Sequence, residues 1–395
     1  MLRARSAWAE TMGLACVLAS AVWSCGDPER APYATPPRPP TAAPDAGVGI
    51  DVPVSNEPPN CGGERIRALL DLPKFYFVLD RSGSMNAPID RTGLSKYKAA
   101  YRSVGALLRA IGHRVEYGAA VFPGRDQSLE CDGGRQIFAM SAGDSLELGG
   151  PDRNGPKLHD LLQRLSALAP AGGTPTSAAL AGLRPLLQAL GGRTYVVLAT
   201  DGAPNCNAAV RCETGQCIPD IEQQSFDGKL CGASFSCCNE ERIGEGASVN
   251  CIDARGTLEQ VSALREAGIS TYVVGMPGSE AYATLLAALA REGGTARAVE
   301  PAYYAISDAV ALQEALFAIG TGVPIGCDVT LASLPQDPEL VNVHFDGALD
   351  HYDPDNGWDW RSPSELTLRG AACEKLSSGA VLELQITHGC RTVVR

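Results

Sequence analysis

The chain has 395 residues, 45% of them hydrophobic, which is enough for one large domain with a smaller companion and too apolar for a mainly disordered protein. A formal net charge of −12 argues against nucleic acid as a partner, because phosphate binding needs clustered Lys and Arg. Diffuse acidity of this kind chiefly keeps a protein in solution.

In chain order, Arg3 and Arg5 precede an uncharged apolar stretch, 13–23. That stretch is shorter than the roughly 20 residues a bilayer-spanning helix needs, so it reads as an export signal. It runs into Val22-Trp23-Ser24-Cys25-Gly26, which resembles the lipobox of bacterial lipoproteins. The resemblance implies a signal over 1–25, a lipid on Cys25 and attachment to a membrane. Trp23 departs from the small or aliphatic residue usual there, which leaves a plainly cleaved signal as the alternative. By the same family analogy, Gly26 supplies no acidic retention signal and favours an outer-membrane destination, so a lipoprotein of the outer membrane and periplasm or of the cell surface is expected. The cysteines agree with export. Of 14, Cys16 leaves with the signal and Cys25 carries the lipid, so 14 − 2 leaves an even 12 for disulfides.

Residues 26–60 hold ten prolines among Ala, Thr, Asp and Gly, a composition that cannot bury enough surface to fold and predicts an extended tether. From Lys74 the pattern alternates. Short apolar runs at 75–79, 115–122, 136–140, 194–199, 269–275 and 296–299 predict strands. Helical spacing over 95–111, 158–168, 177–190, 257–267, 280–291 and 307–319 predicts helices. Strands alternating with helices predict an α/β fold, a doubly wound and mostly parallel sheet covered on both faces, over 61–323. After Pro324, short strands at 328–331, 341–345, 364–368 and 381–387 predict a small β-rich module over 324–395.

Three segments carry the chemistry. Asp80-Arg81-Ser82-Gly83-Ser84 follows one buried strand, Thr200-Asp201-Gly202 follows another, and Gly172-Gly173-Thr174-Pro175-Thr176 precedes a helix. In an open parallel sheet such segments converge beyond the carboxyl ends of the strands. Their hydroxyls and carboxylates are the oxygen donors a hard cation prefers, Mg²⁺ or Mn²⁺ first and Ca²⁺ as a further option. Any one segment alone is an ordinary turn or helix cap; the three in this order are not.

The D-x-S-x-S run, the distant Thr and the T-D-G run together resemble the metal-ion-dependent adhesion site of von Willebrand factor A-type domains, over roughly residues 70–320. The resemblance implies a metal held by Ser82, Ser84 and Thr174, with Asp80 and Asp201 behind them. It also implies a vacant position that a partner's carboxylate completes. The overall plan is also similar to a group of secreted bacterial A-type lipoproteins.

An insertion at about 203–252 holds Cys206, Cys212, Cys217, Cys231, Cys237, Cys238 and Cys251 in a Gly- and Asn-rich stretch that needs staples in place of a core. Seven is odd, and Cys131 is the expected eighth. Zinc is the weaker alternative, because Cys212, Cys217, Cys237 and Cys238 lack the paired spacing of zinc knuckles. The insertion leaves the chain just after Asp201, so it is expected to form part of a ligand-binding rim. Further along, Cys373 is expected to pair with Cys390, and Cys61 with Cys327. The stretch 353–359 reads as an acidic surface turn, since it misses the glycine position and closing glutamate of a calcium loop.

The expected function is cation-dependent binding of a protein or glycan through an acidic group. A scaffold making its contacts through 324–395 is the alternative. An enzyme is not expected, because His113, His159, His344, His351 and His388 are scattered and no catalytic elbow or phosphate loop is present.

Overall fold

A computed structural model describes residues 64–394, apart from 67, 125–130, 146–147, 379–380 and 382. The signal, Cys25, the tether and Cys61 lie outside the described residues.

Two short strands come first, β1 (Glu64–Ile66) and β2 (Ala68–Leu70). Then follow β3 (Lys74–Asp80), helix α1 (Lys96–Ile111), β4 (Glu116–Phe122), β5 (Arg135–Ala142), α2 (Pro156–Ser166), α3 (Thr176–Ala189) and β6 (Thr194–Thr200). The cysteine-rich insertion contributes only small pieces: α4 (Ile218–Ile221), β7 (Ser225–Phe226), β8 (Lys229–Leu230) and α5 (Glu240–Ile243). The α/β pattern resumes with α6 (Ala254–Glu266), β9 (Ser270–Gly275), α7 (Ala283–Glu292), β10 (Tyr304–Ala305) and α8 (Ala309–Gly322). Last come β11 (Asp328–Leu331), β12 (Val341–Phe345), β13 (Ala348–Asp350), β14 (Trp358–Ser362), β15 (Glu365–Leu368), α9 (Gly370–Ser378) and β16 (Leu384–His388).

The central sheet runs β10-β9-β6-β3-β4-β5, parallel throughout except for the antiparallel edge strand β5. Strand β3 shows why it is covered on both faces. Side chains alternate along a strand, so Phe75, Phe77 and Leu79 enter one core while Tyr76 and Val78 enter the other. The first core is closed by Tyr97, Val104 and Leu107 of α1, Leu161 and Leu165 of α2, and Leu312, Leu316 and Ile319 of α8. The second is closed by Leu180 and Leu183 of α3, Val261 and Leu264 of α6, and Leu286 and Leu289 of α7. Helix α8 lies so close to α1 that a Cβ at Gly320 would fall 2.7 Å from Leu107 Cδ1. This is the doubly wound α/β arrangement, a mostly parallel sheet covered by helices on both faces.

The outer edge departs from the sequence expectation. The stretch 296–299 forms no strand and leaves Val299 68% exposed. Strand β10 instead pairs at Tyr304, whose ring packs 6.4 Å from Tyr272 of β9.

The C-terminal module also differs in composition. Its two antiparallel four-stranded sheets run β1-β16-β12-β13 and β14-β15-β11-β2, over a shared core that includes Val329, Val343, Trp358, Leu366 and Ile386. Strands β1 and β2 therefore pair with the tail and not with the α/β sheet, although they lie inside the range 61–323 expected for the A-type domain. The α/β domain sits between the two pieces of this sandwich in sequence. Helix α9, absent from the expected β-only pattern, buries Ala372 and Leu376, one helical turn apart. The two passages between the modules are held by Arg193. Its guanidinium donates to Asp71 Oδ2 at 3.0 Å, to the Asp71 carbonyl at 2.7 Å and to the Pro324 carbonyl at 2.7 Å.

The disulfides correct two expected pairings. Cys327 pairs with Cys373, so neither the Cys373–Cys390 nor the Cys61–Cys327 bridge forms; Cys390 is disulfide-bonded as well. The reason is local: α9 follows β15 directly and folds Cys373 back over Cys327, whose carbonyl accepts from Leu368 N. In the insertion Cys212 pairs with Cys251, Cys217 with Cys238 and Cys231 with Cys237. These cystines are themselves the buried core there, with Val210, Phe235 and Ile243 packed against them. Bonded sulfurs cannot serve as thiolate ligands, which removes the zinc alternative. The remaining cysteine, Cys206, pairs with Cys131 and ties the root of the insertion to the segment after β4.

Candidate metal centre

Asp80 ends β3, and Asp201 follows the last residue of β6, its neighbour in the sheet. Parallel pairing therefore delivers two buried carboxylates to one end of the sheet, 0% and 3% exposed. Each is held by donors that the turns supply. Asp80 Oδ1 accepts from Ser82 N at 2.7 Å, and its Oδ2 accepts from the Thr200 hydroxyl at 2.6 Å. The Ser84 hydroxyl donates to Asp201 Oδ1 at 2.7 Å, and the Ser82 and Ser84 oxygens stand 3.1 Å apart.

The Thr174 loop closes the third side. Gly83 N donates to the Gly172 carbonyl at 2.9 Å, and Gly172 needs its freedom from a side chain, with φ at +83°. Ala171 N donates to the Arg81 carbonyl. The Thr174 hydroxyl lies 3.7 Å from where a Cβ on Gly202 would be, beside Asp201. All five residues singled out in the sequence, Asp80, Ser82, Ser84, Thr174 and Asp201, thus meet at one place. Two serine hydroxyls at contact distance, with the Thr174 hydroxyl on the adjoining loop and two carboxylates behind them, make an all-oxygen set of the kind a hard divalent cation prefers.

Four further residues shape the site. Arg81, the variable position of the D-x-S run, is buried and donates to the Pro123 carbonyl at 2.8 Å and the Ala169 carbonyl at 2.6 Å, locking three loops together. Asn205 clamps the Thr174 loop from both sides, its Oδ1 accepting from Thr174 N and its own N donating to the Thr174 carbonyl. Thr200 orients Asp80 as described. The fourth is Lys96, whose ammonium lies 2.7 Å from Asp201 Oδ2 with only 9% of its side chain exposed. Sequence reading passed over Lys96 because a lysine in a helix of 16 residues is usually a solvated face. The available signal was its place in the first turn, where a helix repels cations.

Burial and the charge of Asp201 push the Asp80 carboxyl up to about 7, against the pull of Thr200 and Ser82. Two carboxylates in one dry pocket resist ionising together unless positive charge is brought in. The insertion reaches the edge of the same pocket. The Tyr282 hydroxyl donates to Glu222 Oε1 at 2.8 Å, and burial, Glu222 and the charge of Asp201 all push its pKa above the usual tyrosine value, making it a weaker acid.

No protein-family model matches the chain, and no curated protein matches it. Among solved structures it is similar to the pilus adhesin SpaC from Lactobacillus rhamnosus GG, with a TM-score of 0.43 and 17% identity over 80% of this chain and 39% of that one. It is similar to the PilB minor pilin from Streptococcus sanguinis, with a TM-score of 0.42 and 19% identity over 64% of this chain and 61% of that one. The vWF domain of the type V pili tip protein Mfa5 from Porphyromonas gingivalis gives a TM-score of 0.40 and 13% identity, over 64% of this chain and 95% of that one.

Proposed function

We propose that this chain is an envelope-anchored binding protein that holds a protein or glycan partner through a divalent cation. The observation that carries the reading is the meeting of Ser82, Ser84, Thr174, Asp80 and Asp201 at the carboxyl ends of β3 and β6. The hydroxyls of Ser82, Ser84 and Thr174 would hold Mg²⁺ or Mn²⁺, with Asp80 and Asp201 orienting them. With mostly neutral donors around it, the ion keeps its affinity for one more oxygen, which an Asp or Glu of the partner supplies. The chain's own contribution is preorganisation: Arg81 and Asn205 fix the loops, and Glu222 of the insertion accepts from the Tyr282 hydroxyl near Asp201. Anchoring rests on Cys25 and on the tether over 26–60. Among the described residues no helix is long and apolar enough to cross a membrane.

The reading is non-catalytic. Among the described residues, the hydrogen-bond partners of the Asp80 and Asp201 carboxylates are Ser82, Thr200, Ser84 and Lys96, and His344, for example, sits in the sandwich against Thr387. One observation favours the scaffold alternative: Lys96 already neutralises Asp201 without an ion. In that reading residues 324–395 make the contacts and partner binding survives chelation.

The test is calorimetric titration of Mg²⁺ and Mn²⁺ into the protein and its Asp80→Ala variant. Saturable binding in the parent and none in the variant is the expected result. Silence in both transfers the weight to the scaffold.

A further inference from the structure

We infer that Lys96 is a resident cation of the site, competing with the divalent ion for Asp201 and so setting the concentration at which the site loads. The inference rests on the metal-binding reading above and deepens it.

Lys96 is the first residue of α1, after the Ser95 cap whose hydroxyl accepts from Lys98 N. Cations are disfavoured there, because the unpaired amides of the first turn carry partial positive charge. No acidic residue in that turn offsets it. Burying an ammonium adds a further penalty unless it is paired. Both penalties are met by one contact, the 2.7 Å bond to Asp201 Oδ2. The surroundings are cut to fit the ammonium. Lys96 N is held by the Ala87 carbonyl, and Gly278 passes so close that a Cβ there would lie 3.0 Å from Nζ.

Asp201 then has both oxygens engaged, Oδ1 by the Ser84 hydroxyl and Oδ2 by Lys96. A divalent cation drawn to Ser82 and Ser84 meets a carboxylate already shared with a fixed positive charge. Lys96 thereby does two opposite things. It keeps Asp201 in place and charge-compensated when no ion is bound, and it opposes ion entry by like-charge repulsion over a short, poorly solvated path. A neighbouring charge at such range shifts the equilibrium of a site by one to three powers of ten. Removing the charge should therefore tighten cation binding.

The experiment compares the whole protein with Lys96→Met, which keeps the stem and deletes the charge, and Lys96→Arg, which keeps the charge. Mg²⁺ and Mn²⁺ affinities are read by calorimetry and thermal midpoints in chelator by scanning calorimetry. The expected result is roughly 10- to 100-fold tighter binding in Lys96→Met, a lower midpoint in chelator, and a larger rise on adding Mg²⁺. Lys96→Arg should bind no tighter than the parent. Should Lys96→Met fold poorly, the parent answers alone. Acylation of Lys96 by an N-hydroxysuccinimide ester, located by mass spectrometry, should be slow in chelator and faster at saturating Mg²⁺, when Asp201 no longer holds the ammonium. If the parent binds metal but Lys96→Met binds no tighter, or Lys96 stays equally protected with Mg²⁺, Lys96 only packs and the metal reading stands alone. If neither protein binds either ion, both inferences fall together.

Discussion

The central sheet and the cysteine-rich insertion reach order by different means, and they meet within four residues of Asp201. In the sheet, β3 is buried from Phe75 to Asp80, and its side chains feed two apolar cores. Many contacts specify each residue, so order there is redundant. In the insertion the buried groups are Cys217, Cys231, Cys237, Cys238 and Cys251, and apolar area is too scarce to fold the segment alone. Asp80 ends β3 and Asp201 follows β6, yet Asn205, among the insertion's first residues, clamps the Thr174 loop beside them. A packed platform thus carries Asp80 and Asp201, while a covalently stapled segment begins beside them.

Four predictions probe that division. Phe77→Ala, at a fully buried position of β3, should cost about 3–5 kcal/mol and lower the denaturant midpoint of the whole α/β domain. A loss under 1 kcal/mol would mean the sheet is less redundantly packed than its burial implies. Replacing Cys212 and Cys251 by Ser opens a bridge with a sequence separation of 39 and should cost about 2–4 kcal/mol. That loss should appear as faster amide exchange and proteolysis confined to 207–252, with the sheet still protected. Loss of protection in β3 and β6 as well would merge the two regions into one cooperative unit.

Asn205→Ala leaves the buried Thr174 N without its acceptor and should cost about 1–3 kcal/mol, with Mg²⁺ affinity weakened as the Thr174 loop loosens. Unchanged affinity would show that the insertion's root is irrelevant to the ion.

The smallest effect concerns pH. The folded Asp80 carboxyl sits at about 7, above its usual 3.8, so the folded state binds more protons than the unfolded chain between those values. Its contribution to stability is complete below pH 3.8 and is lost as pH rises through 7. In chelator, the thermal midpoint of the parent should therefore fall between pH 5 and 8 more steeply than that of Asp80→Asn. Parallel profiles would refute the assignment, and saturating Mg²⁺ should flatten the difference.

Much of this was legible in the sequence. Runs such as Phe75 to Leu79 and Thr194 to Ala199 named their own strands, because burial on both faces demands unbroken apolar residues. The order of Asp80, Ser82 and Ser84, Thr174 and Asp201 along an alternating strand–helix pattern predicted that these oxygen-bearing side chains converge, because parallel strands deliver their carboxyl ends to one edge of the sheet. The even cysteine count, and Cys131 as partner to the odd insertion set, followed from arithmetic. What stayed hidden was pairing between distant segments. Nothing in Glu64–Leu70 says that it strands into sheets with residues 328–388, and the edge strand shifted from 296–299 to Tyr304–Ala305. Composition likewise could not choose Cys373 over Cys61 as the partner of Cys327, since that depended on α9 folding back. Lys96 is the sharpest case: its type and spacing suit a solvated helix face, and only the convergence of α1 on the end of β6 turned it into a buried partner of Asp201. Local patterns fix elements and donor chemistry because they depend on neighbours in the chain. Which elements touch, and which charges end up sharing a pocket, is decided by the packing of the whole.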